Sequence, residues 1–365
     1  MSSVKPFQIL DRKIGLGEPP YVIAEVSANH NGSLDRALDI VRAAAEAGAD
    51  AIKLQTYTAD TITIDHDGPG FAIKGGLWDG RTLYNLYEEA HTPWDWHGAL
   101  FAEGRRLGVA VFSSPFDSTA VDFLERLDAP AYKIASFEAI DLPLIRRVAK
   151  VRKPMIISTG MLSETEIGEA VVAAREGGCC DILLLHCVSG YPTPTSESNL
   201  LTIPDLSERY GVPVGLSDHT LGTEVPIAAV ALGAVAIEKH VTLDRKAGGP
   251  DAAFSIEPCE LKKLVTGVRI AASARGRVSY DLEKSEMENA KFRRSLYVVV
   301  DMDKGETFTE HNVRSIRPGF GMAPKYFPDV LGRRATRALR RGEPLSVDMI
   351  DGWIGPIASA EGKRE

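Results

Sequence analysis

Eight short runs dominated by apolar residues recur along the chain, at 21–28, 51–57, 110–115, 132–136, 155–160, 182–187, 214–219 and 236–241. They read as nearly continuous rather than strictly alternating, the pattern of strands buried on both faces of a parallel sheet. Between them the apolar positions return with helical spacing. In 33–50, Leu34, Leu38, Val41 and Ala45 fall on one face, with Ser33 placed to cap the start and Gly48 to end the helix. Gly108 and the pair Gly177–Gly178 read as further helix stops. Eight strand–helix repeats over about 250 residues predict a TIM (β/α)8 barrel. A doubly wound open sheet is the rival, and it is weakened because no Gly-x-Gly-x-x-Gly follows the first run.

One connection breaks the rhythm. Between Tyr57 and Ala110 the chain carries Trp78, Trp94 and Trp96, three of its four tryptophans. Extra length after a strand falls on the catalytic face of such a barrel. Its segment "LWDGRTLYNLY" is either aromatic core beneath a long loop or one wall of a sugar pocket. From about residue 280 the strand–helix alternation stops, and short strands, turns and basic residues follow. The expected division is a barrel over 1–280, a linker over 281–292, a small mixed and β-rich domain over 293–355 and a tail over 356–365. So small a domain buries little core alone, so it is expected to dock on a barrel, its own or a partner's.

Composition narrows the partners. Hydrophobic residues make up 44% and charged residues 25%, with a net charge of -8, which argues against a nucleic-acid partner. It leaves room for an anionic small substrate, since a few lysines focused in a cleft outweigh the global sign. No apolar run reaches about 18 residues and the N-terminus lacks the features of a secretory signal, so no membrane span and a cytoplasmic location are expected. Cys179, Cys180, Cys187 and Cys259 show no CxxC spacing and read as reduced, small core residues.

The candidate chemistry sits where the runs end. Working residues of a TIM barrel lie at the C-terminal ends of its strands. Glu25, Lys53, Gln55, Ser114, Lys133, Ser136, Ser158, Ser217 and Glu238 all fall there. Burying Lys53, Lys133, Glu25 and Glu238 unpaired would cost several kcal/mol each, so one shared site is the economical reading. His219 and His240 close the last two runs, which are neighbours in a barrel. Two neutral imidazoles suit a divalent transition metal with positions left open, and the alternative is two histidines hydrogen-bonded in the barrel mouth. Two ammoniums with a ring of hydroxyls suit a phosphate and a carboxylate. Lys133 also permits a Schiff base, and the lysine alone does not decide. Asp251, in "AGGPDAAFS", is either a plain turn acid or a group aimed at a substrate hydroxyl.

Taken together, "IAEVSANHNGSL", "AGADAIKLQTYTADTITID", "FSSPFD", "YKIASFE", "ISTGM", "GLSDHTLG", "IEKHVTL", "GGPDAAFS", "FRRSLYVV" and "NVRSIRPGFG" resemble the sialic-acid synthase family over about residues 20 to 350. The resemblance implies a TIM barrel followed by an antifreeze-like (SAF) domain in a homodimer with swapped SAF domains. It implies condensation of phosphoenolpyruvate with an open-chain N-acetylated amino sugar, giving a nine-carbon 2-keto acid and phosphate. A divalent metal is implied too, manganese first, with magnesium or cobalt as substitutes.

By the same resemblance His219 and His240 hold the metal, and Lys53, Ser114, Lys133, Ser136, Ser158 and Ser217 cradle phosphoenolpyruvate. Glu25 is similar to the family's acid–base group, Glu238 to a site carboxylate, and Gln55, Tyr191 and Asp251 to sugar contacts. Arg317 resembles an arginine that a partner's SAF domain extends to the acetamido group. Ser189 stands where relatives making ordinary sialic acid often carry asparagine, which leans toward a 2,4-diacetamido-2,4,6-trideoxy sugar. The competing readings are a relative making N-acetylneuraminic or legionaminic acid, and a non-catalytic carbohydrate- or ice-binding protein.

Overall fold

The computed structural model describes residues 4–354. These form two compact units, one ending at Gly276 and the other beginning at Arg277. In the first, an antiparallel hairpin of β1 (Phe7–Ile9) and β2 (Arg12–Ile14) precedes eight parallel strands. These are β3 (Tyr21–Glu25), β4 (Ala51–Thr56), β5 (Ala110–Pro115), β6 (Tyr132–Ile134), β7 (Met155–Ser158), β8 (Ile182–Cys187), β9 (Val214–Asp218) and β10 (Ala236–His240). They close in chain order, β10 pairing back onto β3, so the TIM barrel is confirmed and the open sheet excluded. Each of the eight apolar runs contains one barrel strand.

Alternation along the strands sorts the core into two clusters. Val22, Ala24, Ile52, Leu54, Ile134, Ile157, Leu184, Leu216 and Ile237 pack outward against helical residues such as Ile40, Val41 and Leu124. Tyr21, Ile23, Ala51, Ala110, Phe112, Ile156, Leu185 and Ala236 pack inward together with Phe7, Ile9 and Ile14 of the hairpin. The hairpin thus plugs the N-terminal end of the barrel, a role its short runs do not announce in the sequence. Gly215 is part of this closure. A Cβ there would lie 2.4 Å from the Ala236 carbonyl oxygen and 2.8 Å from Leu185 Cδ2.

The first barrel helix spans Leu34–Ala47, capped by the Ser33 hydroxyl and ended by Gly48 at φ 92°, as expected. Its buried stripe is corrected, however. Ala37, Ile40, Val41, Ala44 and Ala47 face the core, while Leu34 and Leu38 only flank it. The expected stripe followed leucine bulk, whereas close contact with the sheet selects small residues at its centre. Gly108 and Gly178 end their helices with positive φ. The long connection after β4 folds into short helices at Ala59–Ile62 and Leu83–Ala90 before the barrel helix His97–Leu107 resumes the pattern.

The second unit has its own small core. β11 (Ser295–Val298) pairs antiparallel with β12 (Val313–Ile316). Isolated bridges such as Met302–Leu339 and Ala335–Ile350 extend the pairing around Leu296, Phe308, Val330 and Leu345. Among the described residues no helix is long and apolar enough to cross a membrane. The expected tail, 356–365, lies outside the described residues.

Candidate active site

Inward-facing positions change character near the C-terminal ends of the strands. On β3 the inward series runs Tyr21, Ile23, Glu25, and on β4 it runs Ala51, Lys53, Gln55. The apolar plug therefore gives way to a polar layer, which floors a cavity of about 480 Å³. Lys53, Gln55, Lys133, Ser136, Ser158, Tyr191, Ser217, His219, Glu238, His240 and Asp251 all line it. These residues come from five strands and from the loops that follow the strands, and the barrel brings them to one mouth.

Glu25 lies beneath this wall, fully buried. It accepts from Gln55 Nε2 at 2.8 Å and lies 3.2 Å from Lys53 Nζ. Lys53 Nζ also contacts Glu238 Oε1 at 3.1 Å, and Ser217 Oγ donates to the same oxygen at 3.1 Å. Lys133 Nζ donates to Ser158 Oγ at 2.6 Å and lies 3.9 Å from Glu238. Two ammoniums and two carboxylates thus share one dry layer.

Their titrations separate. Burial pushes the Glu25 carboxyl up to about 7, with Lys53 opposing the rise and Glu238 adding to it. Burial also acts against the charged form of Glu238, yet Lys133 and Lys53 hold its carboxyl below the ordinary range. Burial would lower Lys53, but Glu238 and Glu25 shift it upward. Lys133 is held down to about 8, first by burial, with Lys53 adding to the effect and Glu238 opposing it. Such a split keeps Glu238 charged and leaves the Glu25 carboxyl able to exchange a proton near neutrality.

The histidines approach from the other side, their ring centroids 5.4 Å apart. His219 Nδ1 faces the Val188 carbonyl at 3.1 Å, so in the neutral ring Nδ1 carries the proton and Nε2 is the lone-pair donor. His240 is held well below its ordinary value, first by burial and then by His219. Its Nδ1 is buried without a hydrogen-bond partner and lies 4.0 Å from Asp251 Oδ2. Two imidazole nitrogens beside an open cavity fit an open-sphere metal site. They do not form a closed cage, and among the described residues no group of three or more His, Cys, Asp or Glu has that arrangement.

Three of the expected residues stand apart from the wall. Ser114 is buried beside Gln55 in the β4–β5 register, its hydroxyl without a partner among the described residues. Ser189 sits behind Cys187, with its hydroxyl 3.9 Å from the thiol. Arg317 lies in the second unit, exposed after β12. Other residues were missed. Glu138 lines the cavity with an orphaned Oε2 and a carboxyl pushed up to about 7 by burial. Ser27, a polar end of the first run already apparent in the sequence but given no role there, donates its hydroxyl to Asp251. Gly160 donates its N–H to Ser136 Oγ at 3.1 Å, and a Cβ there would come 2.3 Å from Ser189 Oγ. Glycine keeps that hydroxyl pocket open. The signal was present in "ISTGM" and "SFE", but only distant neighbours give it meaning.

Barrel, polar layer and paired histidines define a class. The NeuB family model matches residues 40–280 and a SAF domain matches 293–351, and the chain belongs to the NeuB family. Within it, the chain is 47% identical to a pseudaminic acid synthase of Campylobacter jejuni over 89% of this chain and 95% of that protein. It is 43% identical to the pseudaminic acid synthase of Helicobacter pylori, over 92% and 98% respectively. Among solved structures, an N-acetylneuraminic acid (sialic acid) synthetase from Leptospira borgpetersenii in complex with citrate matches with a TM-score of 0.72 and 32% identity. That match covers 80% of this chain and 98% of the other.

Proposed function

We propose that the protein condenses phosphoenolpyruvate with an open-chain 2,4-diacetamido-2,4,6-trideoxy-altrose type sugar, giving pseudaminic acid and phosphate. The observation that carries the reading is the convergence of Lys53, Lys133 and Glu238 in one cavity lined also by His219 and His240, with Glu25 buried against Lys53 beneath it. The names of relatives 47% and 43% identical to this chain point the same way. The sugar assignment draws on the insertion after β4. Ile62, Ile73, Trp78, Leu83 and Leu86 supply one apolar wall, suited to a methyl group at C6. Trp78 is fixed in that wall by its Nε1, which donates to the Pro250 carbonyl at 3.0 Å.

Lys53 and Lys133 receive the phosphate and carboxylate, with Ser136, Ser158 and Ser217 as hydroxyl donors and Ser114 and Ser189 in support. Gln55, Tyr191 and Asp251 orient the sugar. The methylene carbon of phosphoenolpyruvate attacks the aldehyde carbon, and the aldehyde oxygen takes a proton from Glu25 and becomes a hydroxyl. Water adds to the cationic C2, and its proton passes to Glu25. The C–O bond of the tetrahedral centre then breaks, phosphate leaves with the bridging oxygen and takes up the proton of the C2 hydroxyl, and C2 becomes a ketone. Preorganised lysines stabilise this anionic path without reorganisation. His219 and His240 would hold a divalent ion, manganese first with magnesium or cobalt as substitutes. When bound, it supplies Lewis-acid polarisation of the aldehyde. The reading extends to a cytoplasmic homodimer with swapped SAF domains, in which Arg317 of the partner subunit contacts the acetamido group.

Incubation of the purified protein with phosphoenolpyruvate and a panel of N-acetyl amino sugars tests this, with phosphate release and product mass as readouts. The expected result is turnover of the trideoxy diacetamido sugar above N-acetylmannosamine and the legionaminic precursor. Bridging-oxygen label recovered in the sugar acid would refute the C–O cleavage, and no turnover with any sugar would favour a binding protein.

A further inference from the structure

The residues between the inward-facing pairs point the other way. Ser217 and His219, and likewise Glu238 and His240, face the cavity, so Asp218 and Lys239 face the outer side of the barrel. That side is otherwise apolar along β9 and β10, with Val214, Leu216 and Ile237 in the outer core. Asp218 and Lys239 are register partners on adjacent strands, and both are buried. Lys239 Nζ meets Asp218 Oδ2 at 2.5 Å and also donates to the Thr220 carbonyl. Asp218 in turn accepts from the Thr220 N–H and from the Thr220 hydroxyl, each at 3.1 Å.

The result is a closed knot of four contacts that ties the backbone on both sides of His219 to the residue preceding His240. A buried ion pair adds little net stability over apolar packing of similar volume. What it provides here is a fixed distance between two strand ends. Ordinary parallel pairing does not supply this, because the β9–β10 register ends at Lys239–Asp218 and His219 lies beyond it.

We propose that Asp218, Thr220 and Lys239 are positioning residues that set the spacing of the two imidazoles from behind. This rests on the reading of His219 and His240 as metal ligands. Groups hydrogen-bonded to ligating histidines typically tune metal affinity by about 10- to 100-fold; the knot touches neither imidazole and acts instead through the backbone that carries them. The knot contacts neither the lysines nor the serines of the anion cradle, so its loss should separate the two halves of the site.

The test is Mn2+ binding to the metal-free, full-length protein, followed by electron paramagnetic resonance, beside calorimetric binding of phosphoenolpyruvate. The D218N/K239M double variant removes both charges and leaves neither buried alone. Its Mn2+ dissociation constant is expected to rise about 10-fold or more, with phosphoenolpyruvate affinity within about twofold and Tm little changed. T220V keeps the charges paired and loses only the hydroxyl contact, so a smaller loss of Mn2+ affinity is expected from a variant that folds. Unchanged Mn2+ binding in both variants overturns the proposal. So does a parallel loss of Mn2+ and phosphoenolpyruvate binding with a lowered Tm, which would mark a general structural role. H219A/H240A serves as the control: if it binds Mn2+ like the wild type, the metal reading itself fails.

Discussion

The inward face of the barrel holds two regions on the same strands. Near the strand starts, Tyr21, Ile23, Ala51 and Phe112 pack with the β1–β2 hairpin. One or two inward positions later come Glu25, Lys53, Lys133 and Glu238, each no more than 4% exposed. Both regions are equally dry, yet they are held by different physics. The plug is stabilised by removing apolar area from water and by close packing, so each side chain contributes nearly on its own. The polar layer is stable only as a set, because removing one member strands another as an uncompensated buried charge. Burial therefore does not distinguish scaffold from site, whereas interdependence does.

The strongest way to break this contrast is Lys53→Met. Glu25 and Glu238 then face each other without their shared ammonium, and a loss of about 3–5 kcal/mol is expected by denaturant unfolding. Phosphate release should fall by about 100-fold or more. A stable, active K53M protein would show that the layer is not interdependent. Ile23→Ala should cost about 2–5 kcal/mol through the cavity it leaves, with kcat changed little at temperatures where the variant is folded. A collapse of kcat there would mean that the plug tunes the chemistry directly.

Gly160→Ala sharpens the comparison at the edge of the polar layer. Its Cβ would crowd Ser189 Oγ at 2.3 Å and Ser136 Oγ at 2.7 Å. The expected cost is about 1–3 kcal/mol of local strain. It should appear mainly as a raised KM for phosphoenolpyruvate, with KM for the sugar little changed.

The smallest effect is one of pH. Lys133, held down to about 8 first by burial, loses its ammonium as pH rises through that value, and Glu25, raised to about 7 by burial, gains charge on the way. Both changes subtract positive charge from the cradle. Affinity for phosphoenolpyruvate should weaken as pH rises from about 7 to beyond 8, and binding near neutrality should take up protons. Calorimetry in buffers of different ionisation enthalpy reads this directly. Affinity that is flat with pH and free of proton linkage would contradict the assigned directions.

Much of this was open to reading before any coordinates. The eight strands announced themselves because parallel strands are apolar on both faces, and their polar ends named Glu25, Lys53, Lys133, His219 and His240. Glu138, Gly160 and the hairpin plug escaped because nothing local marks them. Glu138 looks like a helix-start acid until its orphaned oxygen is found in the cavity wall. The stripe of the first helix was misplaced for a similar reason, since which face meets the sheet depends on the sheet.

Periodicity, strand-end chemistry and loop lengths are properties of neighbouring residues, so the barrel class, its second domain and the candidate residue types belong to the chain alone. Pairing does not. Lys53 meets Glu238 across 185 positions, and Ser27 meets Asp251 across 224. Whether a buried charge is catalytic, compensating or a clamp depends on what faces it across the closed barrel. In "SDH" and "EKH" the sequence shows three polar letters each. Only the closed sheet turns the outer two inward as chemistry and joins the middle ones behind them as a knot, because side-chain alternation has meaning only once a surface has two sides.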